Sequence, residues 1–285
     1  MIGFAKRNIK LFFRDKSAVF FSLLAVFIII GLYALFLGDV WTSSLSELGE
    51  SAEVLMSSWI MAGLLAVTSV TTTMGAFGIM VDDRIKKIDK DFYSSPLKRS
   101  SIAGGYVISS FVIGVIMSVV TFVLAELYIL FNGGSLLGVI GCLKVMGLIL
   151  LTTFMNTALL LLLVSFFRSQ NAFATASTVI GTLIGFLTGI YLPVGSLPEG
   201  VRIVVKVFPV SHAAALFRQV LMEQPLQEAF SSVPGEAAAS FKEQMGISFR
   251  FGDFSITPLI SILILAATAV LFFALSVLRI AKARK

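Results

Sequence analysis

The sequence predicts an all-α, polytopic membrane protein, and three observations carry that expectation. Of its 285 residues, 57% are hydrophobic and 13% charged, far from the balance of a soluble globular domain. Apolar runs of about eighteen residues or more recur, each long enough to cross a bilayer as a helix. Lysine and arginine, whose excess gives a formal net charge of +6, sit mostly beside those runs. Basic loops are retained on the cytoplasmic side of a membrane, near anionic headgroups. The basic balance therefore points to membrane lipid and not to nucleic acid.

Residues 1–16 open the chain. At helical spacing Lys6, Arg7, Lys10 and Arg14 share one face, and Ile2, Ala5, Ile9, Phe12 and Phe13 share the opposite one. This predicts an amphipathic helix in the inner interface, its basic side turned to water and headgroups. A plain basic flank that orients the first span is the alternative. Phe4 and Leu11 fall outside the apolar arc. The apolar stretch Ser17–Leu37 is too long for a signal-peptide core and lacks a small-residue cleavage pattern, so it reads as an uncleaved first span.

The connection Gly38–Glu53 holds Asp39, Glu47, Glu50 and Glu53 without a basic residue, and is placed outside. Span 2 covers Val54–Val81, and its centre, TSVTTTMGAFG, brings Thr68, Thr71, Thr72 and Thr73 into the membrane. Such hydroxyls can bond back to their own helix or across to a neighbour, or they can line a polar path. The segment Asp82–Ser101 follows, with Arg84, Lys86, Lys87, Lys90, Lys98 and Arg99 outnumbering Asp82, Asp83, Asp89 and Asp91, and is placed inside. Within it Arg84–Phe92 predicts a short charged helix that Pro96 ends, since the residue before a proline avoids helical geometry. Phe92 and Tyr93 offer rigid apolar anchors of the kind that dominate interfaces.

Span 3, Ile102–Phe131, and span 4, Leu136–Phe166, form a hairpin about the turn Asn132–Ser135. Glu126 and Lys144 interrupt it, each roughly two helical turns inside the outer boundary, close enough to meet. An intramembrane charge is a functional candidate; a structural pair or a snorkelling lysine is the alternative. A short turn at Arg168–Asn171 leads to span 5, Ala172–Leu192, whose Gly181, Gly185 and Gly189 predict a tight helix seam, within a subunit or between subunits.

Pro193 and Pro198 break that helix. Val201–Val207 and Ser211–Met222, parted by Pro209, predict helices too short to span, re-entrant or interfacial on the outer side. Glu223–Thr257 is polar and completes an external segment, 193–257. Span 6, Pro258–Leu278, ends in a basic tail. Six transmembrane helices with both termini cytoplasmic, forming a single domain over 17–285, place every charged loop consistently.

Absent motifs narrow the chemistry. No G-x-x-x-x-G-K-[ST] loop is present, so nucleotide hydrolysis by that route is not expected of this chain. His212 is the sole histidine, which excludes clustered His metal sites. No G-x-S-x-G elbow occurs, and no span carries paired carboxylates. Cys142 is alone, so no intrachain disulfide is possible. No catalytic, cofactor-binding or metal site is expected here.

The order of elements resembles the permease subunits of ABC-2 type ABC transporters over nearly the whole chain. The resemblance is carried by RNIKLFFRDKSAVFFSLL at the start, KDFYSSPLKRSSIAGGY after span 2, and LPVGSLPEGVRIVVKVFPVSHAAALFRQVL after span 5. The family commonly shows an acidic-Arg pair, a Gly, and then Ser-Pro-[small apolar]-x-Arg. Asp83-Arg84 and Ser95-Pro96-Leu97-Lys98-Arg99 fit, and Lys87 stands about where the Gly is usual.

The resemblance implies a bacterial cell-membrane exporter permease without its own motor. Two copies of a cytoplasmic ABC ATPase would hold ATP and Mg, and a second permease, identical or paralogous, would complete the dimer. Residues 1–16 would be a connecting helix and 82–101 the coupling loop, with Arg84, Lys86, Lys87, Lys90, Phe92, Tyr93, Pro96 and Arg99 at the contact. Spans 2 and 5 would line the path at the dimer interface. The hydroxyl-rich but otherwise apolar path favours a drug, antibiotic or small peptide as cargo; lipid-linked glycan or sodium export are alternatives within the family. A secondary transporter or channel would need more buried coupling charges than Glu126 and Lys144, or an inverted repeat. An intramembrane enzyme or a scaffold is the remaining class.

Overall fold

The computed structural model describes residues 1–33, 35, 51–94, 98–231 and 235–282. Helix α1 spans Ile2–Arg14, and α2 spans Lys16–Leu32 with Asp15 accepting the Ala18 amide at 3.0 Å as its N-cap. The long helix α3, Ser51–Ile85, is followed by the short α4, Ile88–Ser94, then α5, Arg99–Phe131, and α6, Val139–Val164. Helix α7, Gln170–Leu187, is capped by Ser169. Then come α8, Glu199–Val207, and α9, Pro209–Leu221, which meet at 80°. Phe208 adopts an extended conformation because Pro209 follows it.

The segment after α9 carries α10, Glu223–Ala229, and α11, Gly235–Gln244. Strands β1, Phe249–Phe251, and β2, Phe254–Ile256, pair antiparallel as a small hairpin. Helix α12, Pro258–Lys282, closes the chain.

Among the described residues four helices are long and apolar enough to cross a membrane: α3, α5, α6 and α12. Helix α2, over the expected first span, has 17 residues, and α7, over the fifth, has 18. The outer placement of Asp39, Glu47 and Glu50 concerns residues outside those described.

Helix α3 is the axis of the bundle. Its apolar window is 89% buried, against 44% for α5 and 22% for α12. It packs on α2, α5, α6, α7 and α9, and Leu55, Trp59, Leu64 and Phe77 are sealed within the core. At 35 residues α3 is about 50 Å long, well beyond the ~30 Å hydrocarbon layer. Its last turn brings Asp83 and Arg84 beside α1 and α4.

Helix α7 stops five residues before the expected end. Gly189, at φ +69°, donates to the Phe186 carbonyl, and the Ile190 amide donates to Gly185, a Schellman closure that only a residue comfortable in the left-handed region makes cheaply.

Candidate functional site

Where α1, the end of α3, α4 and the start of α5 meet, five side chains close a polar knot. Nη1 and Nη2 of Arg7 donate to the two carboxylate oxygens of Asp83, at 2.5 and 2.9 Å, and the Tyr106 hydroxyl donates to the same carboxylate at 2.7 Å. Arg7 also bonds the Asn8 side chain, whose amide donates to Ser109 on α5. Asp83 is only 4% exposed, so this fork of charge-assisted bonds compensates its desolvation. The hydrogen bond to Asp83 raises the Arg7 pKa from its ordinary value, and the guanidinium stays charged.

An aromatic wall backs the knot. Phe4 stands edge-on to Phe92 and to Tyr106, each at 4.9 Å between centroids, and the Arg7 guanidinium lies 5.0 Å from the Phe92 ring. Gly105 makes the approach possible: a Cβ there would stand 2.6 Å from Phe4 Cδ1. The inward face of α1 is thus Phe4, Ala5, Asn8 and Phe12. The helical-wheel arc differs from it. Phe4, which fell outside the arc, is the anchor, Ile2 and Phe13 are exposed, and Arg7 turns inward while Lys6, Lys10 and Arg14 stay in solvent.

The loop is built differently from the single helix Arg84–Phe92 that the sequence predicts. Arg84 still belongs to α3 and donates to the Phe167 carbonyl at 2.8 Å, which ties α3 to the turn after α6. From the other side Arg279 bonds Ser165 and lies 3.5 Å over the Phe166 ring. Lys87 breaks the helix at φ +59°, the conformation that glycine adopts freely, and α4 begins one residue later. Lys86, Lys87 and Lys90 are exposed, and Lys86 pairs only loosely with Asp82 at 3.4 Å. Phe92 is turned into the wall. Pro96 and the side chains of Tyr93 and Arg99 lie outside the described residues.

The family model for ABC-2 type transporters matches residues 3–222, from α1 through the end of α9. The chain belongs to the ABC-2 type transporter family. No protein of curated function matches it in sequence. Membership makes the chain the membrane component of an ABC transporter, a class that works with ABC ATPase partners.

Within this transporter the hydroxyls of α3 are core groups. Thr72 donates to the Thr68 carbonyl and Thr73 to Ser69, each at 2.7 Å, and Thr71 donates to Val67 at 3.2 Å. Asn156 of α6 bonds the Ser69 hydroxyl, while the buried Thr68 hydroxyl has no partner among the described residues. Of this stretch only Thr71, Gly75 and Gly78 are not buried, and Gly75 alone is fully exposed. Most of the threonine cluster therefore lies inside one chain and not along an open path. The close helix approach is also elsewhere than expected: a Cβ on Gly114 of α5 would meet Thr73 Oγ1 at 2.5 Å and Thr153 at 2.7 Å. Gly181 has open space, Gly185 is covered by the Tyr191 ring of its own chain, and Gly189 lies beyond the helix.

Glu126 and Lys144 do not meet. Glu126 accepts the Leu137 amide at 2.9 Å, closing the hairpin turn, and Lys144 reaches Glu223 at 3.3 Å. His212 is buried; its Nε2–H donates to the Lys206 carbonyl, which leaves Nδ1 to accept from Ser261.

Nothing in the local sequence singles out Arg218. It is 1% exposed, lies 4.6 Å from the Trp59 ring, and fits against Gly63 and Gly246, where side chains would crowd it. Trp59, Arg218 and Gln219 donate in turn to the carbonyls of Met245, Gly246 and Ile247, pinning the turn before β1 to the bundle. No local pattern signals this, because every contact joins distant parts of the chain.

Proposed function

We propose that the chain is the permease subunit of an ATP-driven exporter in a bacterial cytoplasmic membrane, with six spans and both termini inside. It acts as a dimer with two copies of a cytoplasmic ATPase subunit, which hold ATP and Mg. Cargo is a hydrophobic or amphipathic compound such as a drug, antibiotic or small peptide. The single observation that supports this most is the Arg7–Asp83 knot. It welds α1, α4 and the projecting end of α3 into one stiff unit, and that unit presents Lys86, Lys87 and Lys90 to solvent. A complete inward-to-outward switch needs about 5.5 kcal/mol of differential binding, which a partner can deliver only through a contact that does not yield.

The exposed lysines, together with Lys6, Lys10 and Arg14 on α1, suit an acidic partner surface and set its register by charge. Arg84, committed to Phe167, serves the bundle instead. In the reconstituted complex, charge reversal at Lys86 and Lys90 should abolish cargo-stimulated ATP hydrolysis while the chain's melting temperature is unchanged. Transport at the unaltered rate would refute docking at this loop.

A further inference from the structure

On the side of the bundle away from the Arg7–Asp83 knot lies a cavity of about 970 Å³, at the upper end of the range of ligand pockets. Its walls are α6, α9 and the start of α12, roofed by α10, α11 and the hairpin residues. The roof is held rigidly, because the Met245–Ile247 backbone is bonded to Trp59, Arg218 and Gln219.

The cavity is polar at one end and apolar at the other. Along α6 it follows one stripe, Lys144, Gly147, Leu148 and Leu151, about 10 Å of helix running into the membrane. Leu216, Val220 and Ile262 line the inner part, whereas Lys144, Glu223, Gln227 and Lys242 stand at the outer end. Gly147 and Ile262 are exposed on the surfaces of two candidate spans, so the mouth opens sideways toward lipid.

The charges at the outer end do not cancel. Glu223 pairs with Lys144, but Lys242 makes no ion pair among the described residues. Gln219 adds an unsatisfied acceptor to the wall: its Nε2 donates to Ile247, which fixes the amide orientation, and its buried Oε1 has no partner.

We propose that this cavity binds a membrane amphiphile with an acyl chain and an anionic, hydroxyl-bearing head, taken from the leaflet opposite the knot. The chain lies along Leu148, Leu151 and Val220. The head rests between Lys144 and Lys242, with a hydroxyl donating to Gln219. Neither the ATPase nor transport is needed for this binding, so its test is independent of the proposed function.

The full chain is placed in nanodiscs of phosphatidylcholine doped with a phosphatidylglycerol carrying a photoactivatable group on its acyl chain. A phosphatidylcholine with the same labelled chain is the control. The anionic probe should label peptides containing Leu151 and Val220 about fivefold more than the control, the discrimination expected of one net positive charge. Lys144→Gln with Lys242→Gln should remove that preference. Gly147→Phe, which places a ring in space now empty, should reduce labelling by both probes. Equal labelling by the two headgroups, or a preference that survives loss of both lysines, would overturn the proposal. Suppression of labelling by soluble glycerophosphate would also overturn it, by showing a site for the free anion and not for the lipid.

Discussion

Arg7 grips both carboxylate oxygens of Asp83 across 76 residues of sequence, so α1 and the end of α3 move as one body. Arg7 is about a third exposed and Asp83 nearly sealed, which makes the two partners unequal. Removing Arg7 strands a buried carboxylate on the Tyr106 hydroxyl alone. After allowance for solvent at Arg7, Arg7→Ala should cost about 1–3 kcal/mol in detergent unfolding. The double-mutant cycle with Asp83→Ala should give about 1 kcal/mol or more of coupling. Additive losses would show that the fork is not a bond of consequence.

Lys87 occupies the left-handed region without the stabilising features of glycine. Lys87→Gly should raise stability by about 0.5–1 kcal/mol, and Lys87→Val should lower it by at least as much. A melting temperature that falls for the glycine variant would contradict the observed turn.

At Gly185 a Cβ would come within 2.1 Å of Tyr191 Cε2, the far part of a half-exposed side chain. Gly185→Ala should displace the ring at modest cost, and adding Tyr191→Ser should restore the stability. Gly181→Ala, which meets nothing within 4 Å, should be neutral or gain up to about 1 kcal/mol of helix propensity. Loss of dimerisation in Gly181→Ala, with the monomer intact, would return the seam to an interface between subunits.

Arg218 is a buried cation whose Nε and Nη2 have no partner among the described residues. Arg218→Met fills similar space against Trp59 and should leave stability unchanged or raise it by about 1–3 kcal/mol. Arg218→Ala empties the site and should cost about 2–4 kcal/mol. If the methionine variant is as unstable as the alanine one, the guanidinium has a counter-ion.

Much of the architecture was legible in the sequence because bilayer thickness imposes a length on apolar runs. The spans at α3, α5, α6 and α12 appear where their runs predict, and the α8–α9 break falls at Pro209, where a local backbone rule acts. The segment after α3 was legible in outline, as a basic stretch with an acidic-Arg pair. Its internal division was not: Asp83 and Arg84 are neighbours in sequence, yet one closes the knot on α1 while the other closes the turn after α6.

By itself, then, the sequence determined what is local or periodic: the lengths of the helices, the sites where proline and glycine end them, and the charge of each connection. The tertiary structure alone decided which residues lie on the bundle axis and which partners the intramembrane charges take. Thr72 turns to its own helix, Glu126 to Leu137 and Lys144 to Glu223. The physical reason is that hydrophobic sorting selects membrane from water but does not choose among apolar neighbours. That choice comes from close packing and from satisfying each buried polar group, and both depend on segments far apart in the chain.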